Sequence, residues 1–143
     1  MKTNIALLIE QSVNVIDSLN KGLRLTPEEQ QLFCEHFERE EIKKNEFTIR
    51  IGDYEKYLYF IESGILRYWT AQEYGDPDKE ITFWFSFPGE FANSYFSLKE
   101  NQPSLIHIQA LTDCVIWKLS KLDLADLYQT SLNINKIARI VLE

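Results

Sequence analysis

Between Phe47 and Leu119 the chain runs in short stretches of alternating apolar and polar residues, each closed by turn formers. No other feature constrains the fold as tightly. Phe47, Ile49 and Ile51 alternate with Thr48 and Arg50 before Gly52-Asp53. Tyr57 to Ile61 reads as a buried strand, and Ser63-Gly64 turns it into Ile65 to Trp69. Glu73 to Lys79, with Gly75, Asp76 and Pro77, is a hairpin loop. Ile81, Phe83, Phe85 and Phe87 alternate with Thr82, Trp84 and Ser86 up to Pro88-Gly89. A short helical or irregular stretch, Phe91 to Leu98, and a polar loop through Pro103 follow. Leu105 to Leu111 and Val115 to Leu119 then flank a turn at Thr112-Asp113. Strands this short, with turns every ~8–12 residues, belong to a sandwich or barrel and not to a βαβ fold. The aromatic excess, nine Phe and seven Tyr, leans the same way.

Helical spacing appears on both flanks. From Lys2 to Asn20, Ile5, Leu8, Ile9, Val13, Ile16 and Leu19 share one face, and Gly22 is placed to end the helix. Thr26-Pro27-Glu28-Glu29 opens a second helix: Thr26 caps, Pro27 suits the first turn and Glu29 completes a capping box. Its buried face is Leu32, Phe33 and Phe37, and the charged run Glu38 to Lys44 reads as a solvated exit. Ser120 with Asp123 starts another helix through Leu127 and Tyr128. From Ser131 to Glu143, Ile134, Ile137, Ala138 and Val141 lie on one helical face. The expected fold is mainly β with flanking helices, in a length that suits one domain of ~100–150 residues.

Charge and composition narrow the function. A net charge of −7 repels polyanions, so nucleic acid is a poor direct partner for this piece. Cys34 and Cys114 are too few for a disulfide framework or an iron–sulfur site and read as buried small hydrophobes. The apolar N-terminal pattern is interrupted by Glu10, Gln11, Asn14 and Asp17, unlike a signal peptide or membrane span, so a cytoplasmic location is expected. A metalloenzyme on a roll of this kind needs two or three His with a carboxylate, but only His36 and His107 exist. Cys34 and His36 lie on one helix at a spacing that does not bring them face to face. The expected function is therefore not enzymatic, and no metal or cofactor is expected.

Gly52-Asp53, then Leu58-Tyr59-Phe60-Ile61-Glu62-Ser63-Gly64, then Arg67, resembles the cyclic-nucleotide-binding domain of the Crp/Fnr regulators. Phe87-Pro88-Gly89-Glu90-Phe91 looks like the start of that family's phosphate-binding cassette. Gln109-Ala110-Leu111 and Trp117-Lys118-Leu119-Ser120 resemble the strands that lead out of the roll. The resemblance covers roughly residues 26–143 and implies a double-stranded β-helix, or jelly roll. It also implies a ligand pocket at Gly89, Glu90, Phe91, Ser104 and Leu105. Gly64, between two strands, suits a positive φ, and the N–H groups about Gly89 suit an anion nest.

In relatives that bind cyclic nucleotides, the Gly-Glu is followed by an Arg-Ser or Arg-Thr pair that neutralises the phosphate. Here that pair falls on Ser104-Leu105. A buried phosphate without its cation costs on the order of 3–5 kcal/mol, so ordinary cyclic AMP binding is disfavoured. Arg67 as a substitute is a minor alternative. Glu90 is either a ligand contact or a rim residue satisfied by backbone. The aromatic cluster Phe83, Trp84, Phe85, Phe87, Phe91, Tyr95 and Phe96 is read as core. Residues 1–130 are expected to form the roll with its N-terminal helices, and 131–143 to start a dimerisation helix. No helix-turn-helix domain of that family is expected within these residues. The apolar stripe of the last 13 residues is too short to stand alone and packs either on a second copy or on its own roll. The function implied is effector sensing for a Crp/Fnr-like regulator, with an unidentified small-molecule effector. The alternative is a free-standing small-ligand-binding or protein-interaction module.

Overall fold

A computed structural model of the chain describes residues 26–72, 75, 76 and 78–130. The expected helix from Lys2 to Asn20 and the stripe of Ile134, Ile137, Ala138 and Val141 lie outside the described residues. Helix α1 (Pro27–Glu35) begins as its sequence requires. Thr26 Oγ1 accepts the Glu29 N–H at 3.1 Å and Glu29 returns the bond to the Thr26 N–H at 2.9 Å. Phe33 and Phe37 are buried edge to face, whereas Leu32 is only half-buried.

The strands are β1 (Glu38–Ile42), β2 (Phe47–Ile49), β3 (Tyr57–Ser63), β4 (Leu66–Ala71), β5 (Glu80–Ser86), β6 (Phe91–Ala92), β7 (His107–Ala110) and β8 (Cys114–Ser120). Two short helices complete the described chain, α2 (Tyr95–Glu100) between β6 and β7 and α3 (Lys121–Thr130) after β8. The strands form two antiparallel sheets, ordered β1-β8-β3-β6 and β2-β7-β4-β5. Consecutive strands fall in different sheets through much of the chain, which is the jelly-roll arrangement.

Ile49, Tyr59, Ile61, Leu66, Tyr68, Ile108 and Ile116 fill the space between the sheets. Burying each such side chain stabilises the fold by roughly 1.5–3 kcal/mol. Alternation along β3 and β8 turns Leu58, Phe60, Trp117 and Leu119 to the other face, and α3, with Leu124 and Leu127 buried, packs against β8. The β3–β4 turn needs its glycine. Gly64 has φ +89°, and a Cβ there would lie 2.5 Å from both Asp113 O and Cys114 Sγ. No described helix is long and apolar enough to cross a membrane.

Three expectations fail. The run at Glu38 is not a solvated exit but strand β1, paired with β8 from Glu38↔Lys118 to Ile42↔Cys114. It is an edge strand with only Ile42 buried, and its charges suit an edge that must not pair further. The strand expected from Leu105 begins at His107, because the Ser104 hydroxyl takes both backbone groups of Ile106. The aromatic cluster is not core: Phe83, Trp84, Phe85, Phe87 and Phe96 are exposed, and Phe91 and Tyr95 are half-buried. β5 is the other edge of its sheet, and a bulge opposite Tyr68 and Trp69 interrupts its alternation.

Candidate functional site

The Phe87–Glu90 turn is strapped to β3. Gly89, at φ +87°, donates to Ile61 O at 2.8 Å, and Ile61 donates to Glu90 O at 3.0 Å. The Glu90 N–H closes the turn on Phe87 O at 3.1 Å. These amides are therefore engaged in the fold, which corrects the expectation of an anion nest at Gly89. The Glu90 side chain, exposed, accepts the Phe87 N–H at 2.6 Å. Of the two readings of Glu90, this geometry matches the rim residue satisfied by backbone. Phe91 pairs with Phe60, rings 5.0 Å apart, on the face away from the space between the sheets.

Ser104 and Leu105 part company. Leu105 is 64% exposed, while Ser104 is 1% exposed. Ser104 Oγ lies 2.8 Å from Ser94 Oγ and donates to Ile106 O at 2.7 Å. Its backbone exchanges bonds with Asp53 O and the Gly52 N–H at 2.7 and 2.9 Å. Ser94 in turn gives its N–H to Glu55 Oε2 at 3.1 Å, Tyr57 gives its N–H to Glu55 Oε1 at 3.3 Å, and the Glu55 N–H donates to Ser97 Oγ at 2.8 Å. Glu55, Ser94, Ser97 and Ser104 are all buried, so a polar knot ties the β2–β3 loop to α2. Burial pushes the Glu55 carboxyl up to about 7, against the lowering effect of the Ser94, Tyr57 and Lys56 backbone bonds. Sequence reasoning missed this knot. Its only signal is a Glu between two tyrosines with three serines downstream.

A second feature sits at the β4–β5 end. Ser86 Oγ donates to the Tyr68 hydroxyl at 2.9 Å, both buried. Burial raises Tyr68 to about 12, with the Ser86 bond and an Asn93 backbone bond opposing. Asn93 Nδ2 is enclosed and has no hydrogen-bond partner among the described residues. Trp84, across from Tyr68 in the ladder, is 63% exposed. Arg67 lies next to Tyr68 on β4 and so points to the opposite face. There it pairs with Glu80 at 2.7 Å and covers Trp69 at 4.9 Å. It is not available to the space between the sheets. His107 is likewise engaged, with Nδ1 accepting the Ile51 N–H at 3.1 Å and its ring 4.2 Å from Trp69. Burial and nearby Arg50 lower its pKa.

A pocket of ≈ 380 Å³ opens where β2, the Gly52–Lys56 loop and β3 meet. Glu55, Tyr57 and Tyr59 line it, and none of Gly89, Glu90, Phe91, Ser104 or Leu105 does.

Residues 39–131 match the family described as the cyclic nucleotide-binding domain. A cyclic nucleotide-binding domain from Methylobacillus flagellatus KT superposes with a TM-score of 0.78 at 14% identity, over 96% of this chain and 75% of that one. The catabolite activator protein of Thermus thermophilus gives 0.71 at 24% identity, over 82% of this chain and 54% of that one. The c-di-GMP-responsive global regulator CLP of Xanthomonas campestris gives 0.66 at 23% identity, over 82% and 55%. At these identities the likeness is one of fold, and the chain spans about half the length of the latter two. No curated protein matches the chain.

Proposed function

The chain belongs to the cyclic nucleotide-binding domain family, and from that premise we propose that it is the effector-sensing roll of a Crp/Fnr-like transcription regulator that does not take cyclic AMP in the usual way. One observation carries the second half of this reading. Where relatives that bind cyclic nucleotides place an Arg, this chain has Ser104, buried and bonded to Ser94. With the Gly89 and Glu90 amides engaged and Arg67 committed to Glu80, no cation or free amide among these groups is left for a cyclic phosphate. The effector is then a small molecule less anionic than a cyclic nucleotide. The domain is regulatory rather than enzymatic, needs no cofactor and works in the cytoplasm. The stripe of Ile134, Ile137, Ala138 and Val141 would join two copies, and effector occupancy would bias that helix and hence a helix-turn-helix domain reading DNA.

Calorimetric titration with cyclic AMP and cyclic GMP tests this. The native protein is expected to give no saturable heat with either nucleotide. Binding at micromolar strength overturns the reading. A Ser104→Arg variant that gains binding locates the loss at that position.

The exposed β5 aromatics favour a second reading, a free-standing interaction module, since contiguous apolar surface of this kind marks a contact site. A chain that stays monomeric by sedimentation at high concentration would favour that reading over the dimeric sensor.

A further inference from the structure

We propose that the pocket beside Glu55 is a binding site for a small organic cation, a protonated amine carrying an apolar or aromatic body. This goes beyond the effector reading, because it concerns a different wall of the roll and can be measured whether or not a cyclic nucleotide binds. The volume, ≈ 380 Å³, falls in the range of small-molecule sites, about 300–1,000 Å³.

The first argument is a hydroxyl open to the pocket. Tyr59 lines the pocket, and no described residue hydrogen-bonds its hydroxyl, which is left to the pocket's solvent. A ligand N–H can take the place of that water. Burial raises the Tyr59 pKa, so the group stays a neutral hydroxyl able to accept an N–H.

The second argument is charge. Asp53 and Glu55 line the pocket against a single cation, Lys56. The backbone N–H groups of Ser94, Tyr57 and Lys56 bond the Glu55 carboxylate, and a carboxylate offers about four acceptor sites, so one remains for a ligand. An ammonium would offset the desolvation of this buried carboxylate, whereas an anion would meet two negative charges. The third argument is the aromatic wall of Tyr54, Tyr57 and Tyr59. The protein already places an ammonium on it: Lys118 Nζ, held by Glu40 at 3.3 Å, lies 4.8 Å over the Tyr57 ring.

The test is an NMR titration of the ¹⁵N-labelled full chain at a pH above 7 with benzylamine, using benzyl alcohol as the neutral match. Benzylamine is expected to shift the amides from Gly52 to Tyr59 saturably, and to bind at least about tenfold more tightly than the alcohol. Glu55→Gln should weaken the amine at least about tenfold and Tyr59→Phe about fivefold. Tyr59→Phe removes an oxygen that bonds no described residue, so its fold is expected to be kept, and it decides the matter even where Glu55→Gln does not fold. No saturable shift, equal affinity for amine and alcohol, or an unchanged Tyr59→Phe variant overturns the proposal. A cyclic-nucleotide result of either sign leaves it standing.

Discussion

Glu55 and Glu90 are both carboxylates beside the roll, and the fold treats them in opposite ways. Glu90 sits in solvent at a tight turn and satisfies one amide of its own loop. Glu55 is 4% exposed and holds groups that are distant in sequence, the entry to β3 and the residues that begin α2. The first is the residue that the family motif points to, and the second bears the larger electrostatic cost. Motif position and energetic weight have separated here. On the proposed reading, the chain would keep the turn that introduces a phosphate cassette and put the Ser94–Ser104 knot where the cassette's cation would be.

The largest test of that contrast is pH. The folded-state pKa of Glu55, about 7, lies above its ordinary value of 4.5. Between those values the folded protein keeps a proton that the unfolded chain has already lost. Stability is therefore full below pH 4.5, falls as pH rises and levels off above about 7. The loss amounts to roughly 3 kcal/mol at ~1.4 kcal/mol per pK unit. Denaturant unfolding from pH 4.5 to 8 should show this decline, and Glu55→Gln should flatten it. A native stability that rises over this window would put Glu55 on the same footing as Glu90.

Ser104→Ala is expected to cost about 2 kcal/mol, since it leaves the Ser94 hydroxyl and the Ile106 N–H without their partner inside the fold. A change below about 0.5 kcal/mol in urea unfolding would mean that the knot is not cooperative.

The knot also shows where sequence reading stopped. The buried strand from Tyr57 to Ile61, the capping box at Thr26 and Glu29, and the glycine turn at Gly64 are local, each decided within a few residues, and each was legible. The Glu55–Ser94 bond spans 39 positions and the Ser94–Ser104 contact 10, and no residue in it is unusual on its own. β1 was hidden for a different reason. Glu38-Arg39-Glu40-Glu41 buries nothing, so its strand shows no apolar period, and only the register with β8 reveals it. The β5 aromatics misled in the other direction, because Phe and Trp at alternate positions read as core while the bulge and the open edge leave them in solvent.

On the Glu90 side the expected effects are smaller. Gly89→Ala should cost about 1 kcal/mol, because φ +87° is a left-handed conformation that disfavours a side chain, although nothing lies within 4 Å of the added carbon. Gly64→Ala has the same φ problem together with the collision against Asp113 and Cys114, so it should cost clearly more by thermal unfolding.

Glu90→Ala is the mildest change and the sharpest test of how the two carboxylates differ. It removes one acceptor from an exposed amide that water can serve instead, so about 0.5 kcal/mol or less is expected in denaturant unfolding. A cost as large as that of Ser104→Ala would mean that the turn carries the same structural weight as the knot. The contrast would then lie only in burial. A near-silent Glu90→Ala, beside a costly Ser104→Ala, would leave the exposed carboxylate free of any structural duty that explains its presence in the turn. Ligand contact would then become the stronger account of that side chain.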